Sequence, residues 1–154
     1  VDRIREIIPD CGISSDIIAG FCTETEEDHQ QTLELMEYCQ YDFSYMYFYS
    51  ERPGTLAARR YTDDVPEEVK KRRLAEIVHL QNKLSKKSNY GDVGNTYRIL
   101  IEGNSKKSDN DWMGRSSGNK VVVFPKDGIA GKGDYVNVTV TGSTGGTLLG
   151  ELAM

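Results

Sequence analysis

Two short segments of the chain combine glycine with charged or nucleophilic side chains, at places where α/β enzymes often carry their chemistry. They span residues 20–25 and 49–55, and each follows an apolar run that is typical of a buried strand. Gly20 would let a ligand approach the backbone, and Arg52 would present a planar cation to a carboxylate or phosphate. A structural interpretation is favoured by spacing alone: Gly20 permits tight packing, Glu24 faces a helix dipole, and Pro53-Gly54 forms a type II turn.

Cysteines and histidines give weaker signals. Three cysteines, at positions 11, 22 and 39, form no disulfide framework and are typical of a reducing, cytoplasmic setting. Cys22 lies close to the start of a predicted helix, where a thiol pKa can fall, but a small packed residue is the favoured interpretation. His29 and His79 have no partner at ligand spacing, so we expect no metal site. The run from Lys70 to Arg73 indicates a solvated helix face.

The chain has two differently built parts, with a break near residue 88. Twelve of the fifteen glycines lie between Gly91 and Gly150. The net charge is −5 overall, which argues against blanket attraction to nucleic acid but leaves room for a local basic patch. No apolar run reaches the ~18 residues that span a bilayer. The chain begins at Val1 within a helical pattern, so we expect a piece of a longer protein.

The first part, residues 1–87, alternates predicted helices and strands. Strands are predicted at 13–21 and 43–49, with helices at 25–39 and from 62 to about 85, and a Lys/Ser/Asn linker after them. Because both strands are apolar throughout, we expect parallel strands covered by helices. Two strands cannot make such a sheet alone, so this part should close a larger α/β barrel or sheet. The carboxyl ends of its strands would then hold the chemistry.

The second part, residues 88–154, predicts five short strands between glycine-rich turns. The pattern favours a small closed barrel of the oligonucleotide-binding kind. A set of cationic and aromatic side chains would place charge on phosphates and a ring under a base: Lys106, Lys107, Trp112, Arg115, Asn119 and Lys120. The alternative is a neutral barrel whose lysines keep it soluble.

The sequence also resembles a known enzyme family along its whole length. The segments ISSDIIAGFCTETEEDHQQTLELM, YMYFYSERPGTLAA and DDVPEEVKKRRLAEIVHLQNKLS resemble the late barrel of the radical S-adenosylmethionine methylthiotransferases. TYRILIEGNSKK, MGRSSGNKVVVFP and GDYVNVTVTGSTGGTLLGELA resemble the TRAM domain that follows it. The RPGT and GRSSGNKVVVF segments are closer to the tRNA-modifying MiaB-type branch than to the ribosomal-protein branch.

The resemblance implies a specific activity for the intact enzyme: transfer of a methylthio group to C2 of an isopentenyl-modified adenosine beside the anticodon. It implies S-adenosylmethionine and two [4Fe–4S] clusters as cofactors, and tRNA as the partner. Matched residue by residue, the cofactor region contains Asp16, Gly20, Phe21 and Glu24. The active-site loop contains Ser50, Arg52, Pro53, Gly54 and Thr55, and the tRNA contact contains Arg115, Asn119 and Lys120.

Two departures from the family pattern matter. The family commonly has Pro-Gly where this chain has Cys22-Thr23, and we assign Cys22 no cluster role. The motif Cys-x-x-x-Cys-x-x-Cys is absent, since the three cysteines lie 11 and 17 residues apart. We therefore expect this chain by itself to be inactive and to bind neither cluster.

Three other readings stay open at this stage. One is the ribosomal-protein methylthiotransferase, which differs in its product. Another is an RNA-binding module without chemistry, and the third is a structural module whose barrel only packs on its neighbour. The open edges of a truncated barrel also favour self-association.

Overall fold

The computed structural model describes residues 1–153, which divide into two compact units. The α/β unit comprises residues 14–84, and the barrel unit comprises residues 1–13 together with the chain from 85 onward. The sequence grouped residues 1–13 with the first part, but they belong to the barrel unit. Within this unit Gly12 lies close to Gly118: a Cβ at Gly12 would lie 2.8 Å from the carbonyl oxygen of Gly118.

The α/β unit contains two parallel strands covered by helices, as the sequence predicted. Its elements are β1 (Ser14–Ala19), α2 (Glu26–Cys39), β2 (Phe43–Phe48), α3 (Leu56–Arg60) and most of α4 (Glu67–Gly91). β1 and β2 pair in parallel from Ser14 opposite Phe43 to Ala19 opposite Phe48. α2 begins with a capping box, in which Thr25 and Asp28 exchange side-chain-to-backbone hydrogen bonds.

One face of this small sheet is packed and the other is open. Ile17 and Ala19 of β1 point toward α2 and α4, where they meet Met36, Ile77 and Leu84 in a buried cluster. Side chains on the opposite face remain exposed: Asp16, Ile18, Tyr45 and Tyr47. The assignment of this unit to a larger radical S-adenosylmethionine barrel stays a prediction.

The predicted linker after residue 85 is wrong, because α4 continues through it to Gly91. Its lysines, serines and asparagines resemble linker composition, yet residues 85–90 include neither glycine nor proline to stop a helix. Two of these polar residues are instead contacts within the barrel unit. Ser88 accepts a hydrogen bond from Lys120 at 2.7 Å, and Asn89 is buried and donates to the carbonyl of Gly145 at 3.4 Å.

The barrel unit contains α1 (Asp2–Ile7) and a closed five-stranded barrel, which confirms the predicted architecture. The strands are β3 (Thr96–Asn104), β4 (Asp111–Arg115), β5 (Val121–Pro125), β6 (Tyr135–Ser143) and β7 (Leu148–Leu152). They close in the order β3-β4-β5-β7-β6, with β5 and β7 parallel and the other pairs antiparallel. Trp112 lies within β4 and packs against the core.

Alternating residues fill the barrel interior. The fully buried members come from four strands: Ile99, Ile101, Val122, Phe124, Val138, Val140 and Leu148. β4 contributes Gly114 at its inward position, because there is no room for a side chain. A Cβ there would lie 2.3 Å from the carbonyl oxygen of Leu100 and 2.5 Å from Cγ2 of Ile99. None of the described helices is long and apolar enough to cross a membrane.

Replacing Gly114 should therefore destabilise the barrel. Gly114→Ala forces a methyl group against backbone atoms of β3, and overpacking of this kind costs about 1–3 kcal/mol. Gly142→Ala is the matched control, since nothing lies within 4 Å of a Cβ at that strand position. Chemical denaturation of the two variants measures the difference; equal free energies of unfolding would contradict the close approach.

Candidate functional site

The carboxyl end of β1 is held in place by two side chains that the sequence placed far apart. Gly20 has a left-handed φ of +73°, and its N–H donates to Oε2 of Glu24 at 2.8 Å. Arg73 of α4 donates to Oε1 of Glu24 at 2.9 Å and to the Glu24 carbonyl at 3.0 Å. The side chains of Arg73 and Glu24 are only 6% and 14% exposed. This buried pair fixes the turn from 20 to 25.

Lys70 fills the space above Gly20. A Cβ at Gly20 would lie 2.3 Å from Cγ of Lys70, so the missing side chain makes room for α4 rather than for a ligand. The Lys70 ammonium binds Asp63 at 2.5 Å and lies 5.2 Å from the centre of the Tyr49 ring. The expectation that residues 70–73 form a solvated face is wrong for Lys70 and Arg73, which are 4% and 5% exposed.

A charge network extends from the buried Arg73–Glu24 pair along α2 and α4. Glu26 accepts hydrogen bonds from Arg72 at 2.6 Å and Arg73 at 3.1 Å, and the Arg72 bond is the main cause of its pKa of about 2. Arg72 also binds Glu76 at 2.6 Å, and the other oxygen of Glu76 lies 2.7 Å from Nε2 of His29. The hydrogen bond from His29 is the largest cause of the lowered pKa of Glu76.

His29 was predicted to lack a partner, because Glu76 is 47 residues away in sequence. Its imidazole is almost fully buried, and within residues 1–153 its Nδ1 has no hydrogen-bond partner. Glu26, His29 and Glu76 are the one group of potential metal ligands that the described residues bring together. Since Arg72 binds both carboxylates and repels a cation, the group is better explained as an ion-pair network.

Aromatic rings gather beside the same strand ends. The ring of Phe21 is partly exposed and meets Tyr49 at 5.0 Å and Tyr61 at 5.9 Å between centroids, both edge to face. Cys22 is buried, which agrees with its interpretation as a packed residue. Thr23 adopts a left-handed φ of +67°, and its N–H donates to Asp64 at 2.7 Å. No sequence signal linked Asp63 or Asp64 to this turn.

The predicted active-site loop is exposed along its length. Thr55 donates its backbone N–H to the Arg52 carbonyl at 3.3 Å, and Gly54 has a φ of +83°, as the expected type II turn requires. Thr55 also caps α3 through its hydroxyl. Ser50, Pro53 and the Arg52 side chain are exposed, and the Arg52 guanidinium has no partner among residues 1–153. Asp16 is exposed on the open face of β1, opposite Tyr45.

Four of the six predicted RNA-binding residues of the barrel are exposed or half-exposed. Lys106 and Lys107 are exposed in the loop between β3 and β4. Arg115, on β4, is half-exposed and binds Glu102 at 3.3 Å and the Asn119 side chain at 3.0 Å. Asn119 is exposed, with a left-handed φ of +62°.

Trp112 and Lys120 have structural partners that the sequence did not reveal. The Lys120 ammonium is 16% exposed and binds Asp92 at 2.6 Å in addition to Ser88, so it is committed inside the unit. Trp112 packs against the core while the Lys126 ammonium lies 4.2 Å from the centre of its ring. The ring therefore offers no free face for a base unless Lys126 moves.

Comparison with known proteins finds similarities along both parts of the chain. The family model of the TRAM domain matches residues 92–153. Over 153 residues the chain is 62% identical to a tRNA-2-methylthio-N(6)-dimethylallyladenosine synthase of Amoebophilus asiaticus, covering 99% of this chain and 31% of that protein. The chain thus matches the TRAM domain over residues 92–153 and is similar to these synthases over the part of them that it covers. The resemblance stated from the sequence is thereby confirmed.

Other synthases of the same name give similar matches. Identity is 56% to the protein of Christiangramia forsetii, over 98% of this chain and 31% of that protein. Identity to the protein of Chloroherpeton thalassium is 53%, over 96% of this chain and 33% of that protein. The chain thus spans about a third of the length of these relatives. Among solved structures, a conserved protein of Methanococcus maripaludis aligns with 40% of this chain and 80% of its own, at 29% identity; its TM-score of 0.33 is too low to establish a shared fold.

Removing Arg73 should destabilise the α/β unit far more than removing its neighbour. Arg73→Met leaves the buried Glu24 carboxylate without its cation, and breaking a buried pair costs about 3–5 kcal/mol. Arg72→Met removes a guanidinium that is 46% exposed, where each ion pair contributes about 1 kcal/mol or less. Urea unfolding compares the two variants. A similar loss in the free energy of unfolding for both would contradict a special role for the buried Arg73–Glu24 pair.

Proposed function

We propose that this chain forms part of a tRNA-modifying methylthiotransferase, the enzyme that adds a 2-methylthio group to isopentenyladenosine beside the anticodon. The supporting observation is identity above 50% to named synthases along nearly the whole chain, across both units. The names of these relatives favour the tRNA branch over the ribosomal-protein branch. Their agreement with the α/β unit also argues against a barrel that merely serves as a structural module.

In this proposal the α/β unit supplies one wall of the intact enzyme's active site, with S-adenosylmethionine near the strand ends. The Gly20 N–H and the Arg73 guanidinium both donate hydrogen bonds to the Glu24 carboxylate, so the role of Gly20 and Glu24 is to hold the turn in shape. Phe21 and Asp16 have accessible side chains for contact with the cofactor. Arg52, on the turn formed with Pro53 and Gly54, is placed to bind an anionic group of cofactor or substrate.

The two [4Fe–4S] clusters do not fit the described residues. A cluster requires several cysteine thiolates at one place. Cys22 and Cys39 are buried in separate packing environments, and the one group of potential ligands in residues 1–153 contains no cysteine. The clusters therefore belong to the remaining part of the proposed enzyme.

We accordingly propose that this chain by itself is inactive. Iron analysis after anaerobic reconstitution should find no stoichiometric iron, and a methylthiolation assay on isopentenyl-modified tRNA should give no product. A full-length relative serves as the positive control in both assays. Turnover by the 154-residue chain would overturn this part of the proposal.

The barrel is proposed to bind the tRNA, with the anticodon stem-loop as the recognised region. Barrels of the oligonucleotide-binding kind use the face of their second and third strands and the loop between the first two. Here those elements are β4, β5 and the loop that carries Lys106 and Lys107, and Arg115 lies on β4. We further propose that the protein is cytoplasmic, and we expect it to self-associate through the open edges of β1 and β2.

RNA binding by this chain should depend on the exposed cations of the barrel. The probe is a fluorescent anticodon stem-loop, compared with a scrambled hairpin at about 50 and 200 mM salt. A variant with Lys106→Ala, Lys107→Ala and Arg115→Ala should bind at least tenfold more weakly, with a salt slope smaller by about 2. The matched control removes three exposed helix cations, through Lys71→Ala, Lys83→Ala and Lys86→Ala.

Lys120→Ala separates a structural role from an RNA contact. Because the Lys120 ammonium is bound to Asp92, we expect this substitution to lower the unfolding temperature and to leave RNA affinity nearly unchanged at temperatures where the variant is folded.

An equal loss of RNA binding for the control variant at Lys71, Lys83 and Lys86 would show that only net charge matters. Absence of binding by the unmodified chain at both salt concentrations would contradict the proposal for the barrel.

A further inference from the structure

A stacked cation and ring lie on the outer surface of the barrel, apart from the residues that the sequence selected. The guanidinium carbon of Arg98, on β3, lies 4.3 Å from the centre of the Tyr135 ring, on β6. Both residues are exposed, and Tyr135 retains 57% of its accessible surface. The pair therefore forms a positively charged platform at the surface, with a cation over an exposed ring.

This platform differs from the two other cation–ring contacts that the structure describes. Lys70 and Lys126 each use their ammonium to bind a neighbouring side chain, Asp63 and Asn104. Within residues 1–153, the side chains of Arg98 and Tyr135 form no hydrogen bond and no ion pair. All five N–H donors of the guanidinium are thus available to a ligand, while the ring keeps its plane oriented.

Strand register puts this platform in line with Arg115. Leu100 of β3 pairs with Arg115 on one side and with Tyr135 on the other, so the three lie in one row across the barrel. Two strand spacings separate the backbones of Arg115 and Tyr135, which is about 10 Å. Arg98 precedes Leu100 by two residues and so points to the same side of β3. The amide-bearing Asn137 is paired opposite Arg98.

We propose that single-stranded RNA crosses the outer face of β4, β3 and β6, with one base stacked on the Arg98–Tyr135 platform. The guanidinium of Arg98 stacks on the base, and its N–H edges bind a phosphate. Arg115, whose backbone lies about 10 Å from that of Tyr135, exchanges its contact with Glu102 for a second phosphate. Bases within a duplex are already stacked and paired, so they cannot use the platform. This inference rests on the proposed RNA binding by the barrel, and it locates the contact and the form of the RNA.

The test measures binding of the 154-residue chain to a short fluorescent single strand and to the same sequence annealed in a duplex. Arg98→Ala should weaken single-strand binding about tenfold, the effect of losing one stacked base. Arg98→Lys, which keeps the charge but loses the plane, should lose at least half of that effect on a logarithmic scale. Tyr135→Leu should weaken binding several-fold, and Tyr135→Phe, which keeps the ring, should bind normally.

Matched controls keep the inference and the proposed function distinguishable. Lys132→Ala removes an exposed cation of the same unit and should change affinity less than twofold. Full affinity in Arg98→Lys would show that charge alone matters, which overturns the stacking platform. If Arg98→Ala binds normally while the variant at Lys106, Lys107 and Arg115 does not, RNA binding stands and this inference fails.

Two further outcomes are also decisive. Equal losses for single strand and duplex in Arg98→Ala would overturn the assignment to unpaired bases. No RNA binding by the unmodified chain would overturn both the proposed function of the barrel and this inference. Thermal unfolding of each variant checks the fold, and the comparison of Tyr135→Phe with Tyr135→Leu does not depend on changing a charge.

Discussion

A guanidinium buried against the end of a strand is the constraint on which the α/β unit depends. Arg73 is nearly inaccessible, so its charge must be neutralised inside the protein. Glu24 does this, and in doing so it also binds the backbone N–H of Gly20. One ion pair therefore joins α4 to the turn that follows β1. Lys70 precedes Arg73 by three residues on α4. It packs its aliphatic stem on Gly20 and binds Asp63 in the same region.

The barrel unit is constrained by contact between backbones rather than by charge. Glycine at 114 and at 150 lets neighbouring strands approach where any side chain would collide: a Cβ at Gly150 would lie 2.5 Å from Cγ1 of Val138. The interior is then filled by alternating β-branched, leucine and phenylalanine side chains, and the outward positions are left to polar and charged residues. This alternation frees the outer face of β3 and β4 to carry arginines without cost to the core.

The two units thus use cations in opposite ways. In the α/β unit, Lys70 and Arg73 form ion pairs with carboxylates of the same unit and fix the shape of a turn. In the barrel unit, Lys106, Lys107 and Arg98 point outward, whereas Lys120 is committed to Asp92. Accessible cations are the ones able to exchange counterions for phosphates. A protein with a net charge of −5 can therefore still offer a local surface suited to RNA.

The sequence by itself determined the two-part organisation, the parallel β1–β2 pair, the capped helix at Thr25 and the five-stranded barrel. These features follow from local patterns: apolar periodicity, capping residues and glycine-rich turns act over a few neighbouring positions. The family resemblance was likewise readable from the chain. The helical continuation to Gly91 was missed because polar composition says little about what a side chain will touch.

Only the tertiary structure decided which charges are buried. Lys70 and Arg73 lie in a run of four cations with the exposed Lys71 and Arg72. Helical spacing puts Arg73 on the apolar face, but it does not show which carboxylate neutralises the charge. Their partners lie far along the chain, as Glu24 is 49 residues from Arg73. In the same way, strand register placed Tyr135 in one row with Leu100 and Arg115, and put Arg98 on the same side of the barrel. Burial and ion pairing depend on distance in space, and one sequence without its fold does not contain those distances.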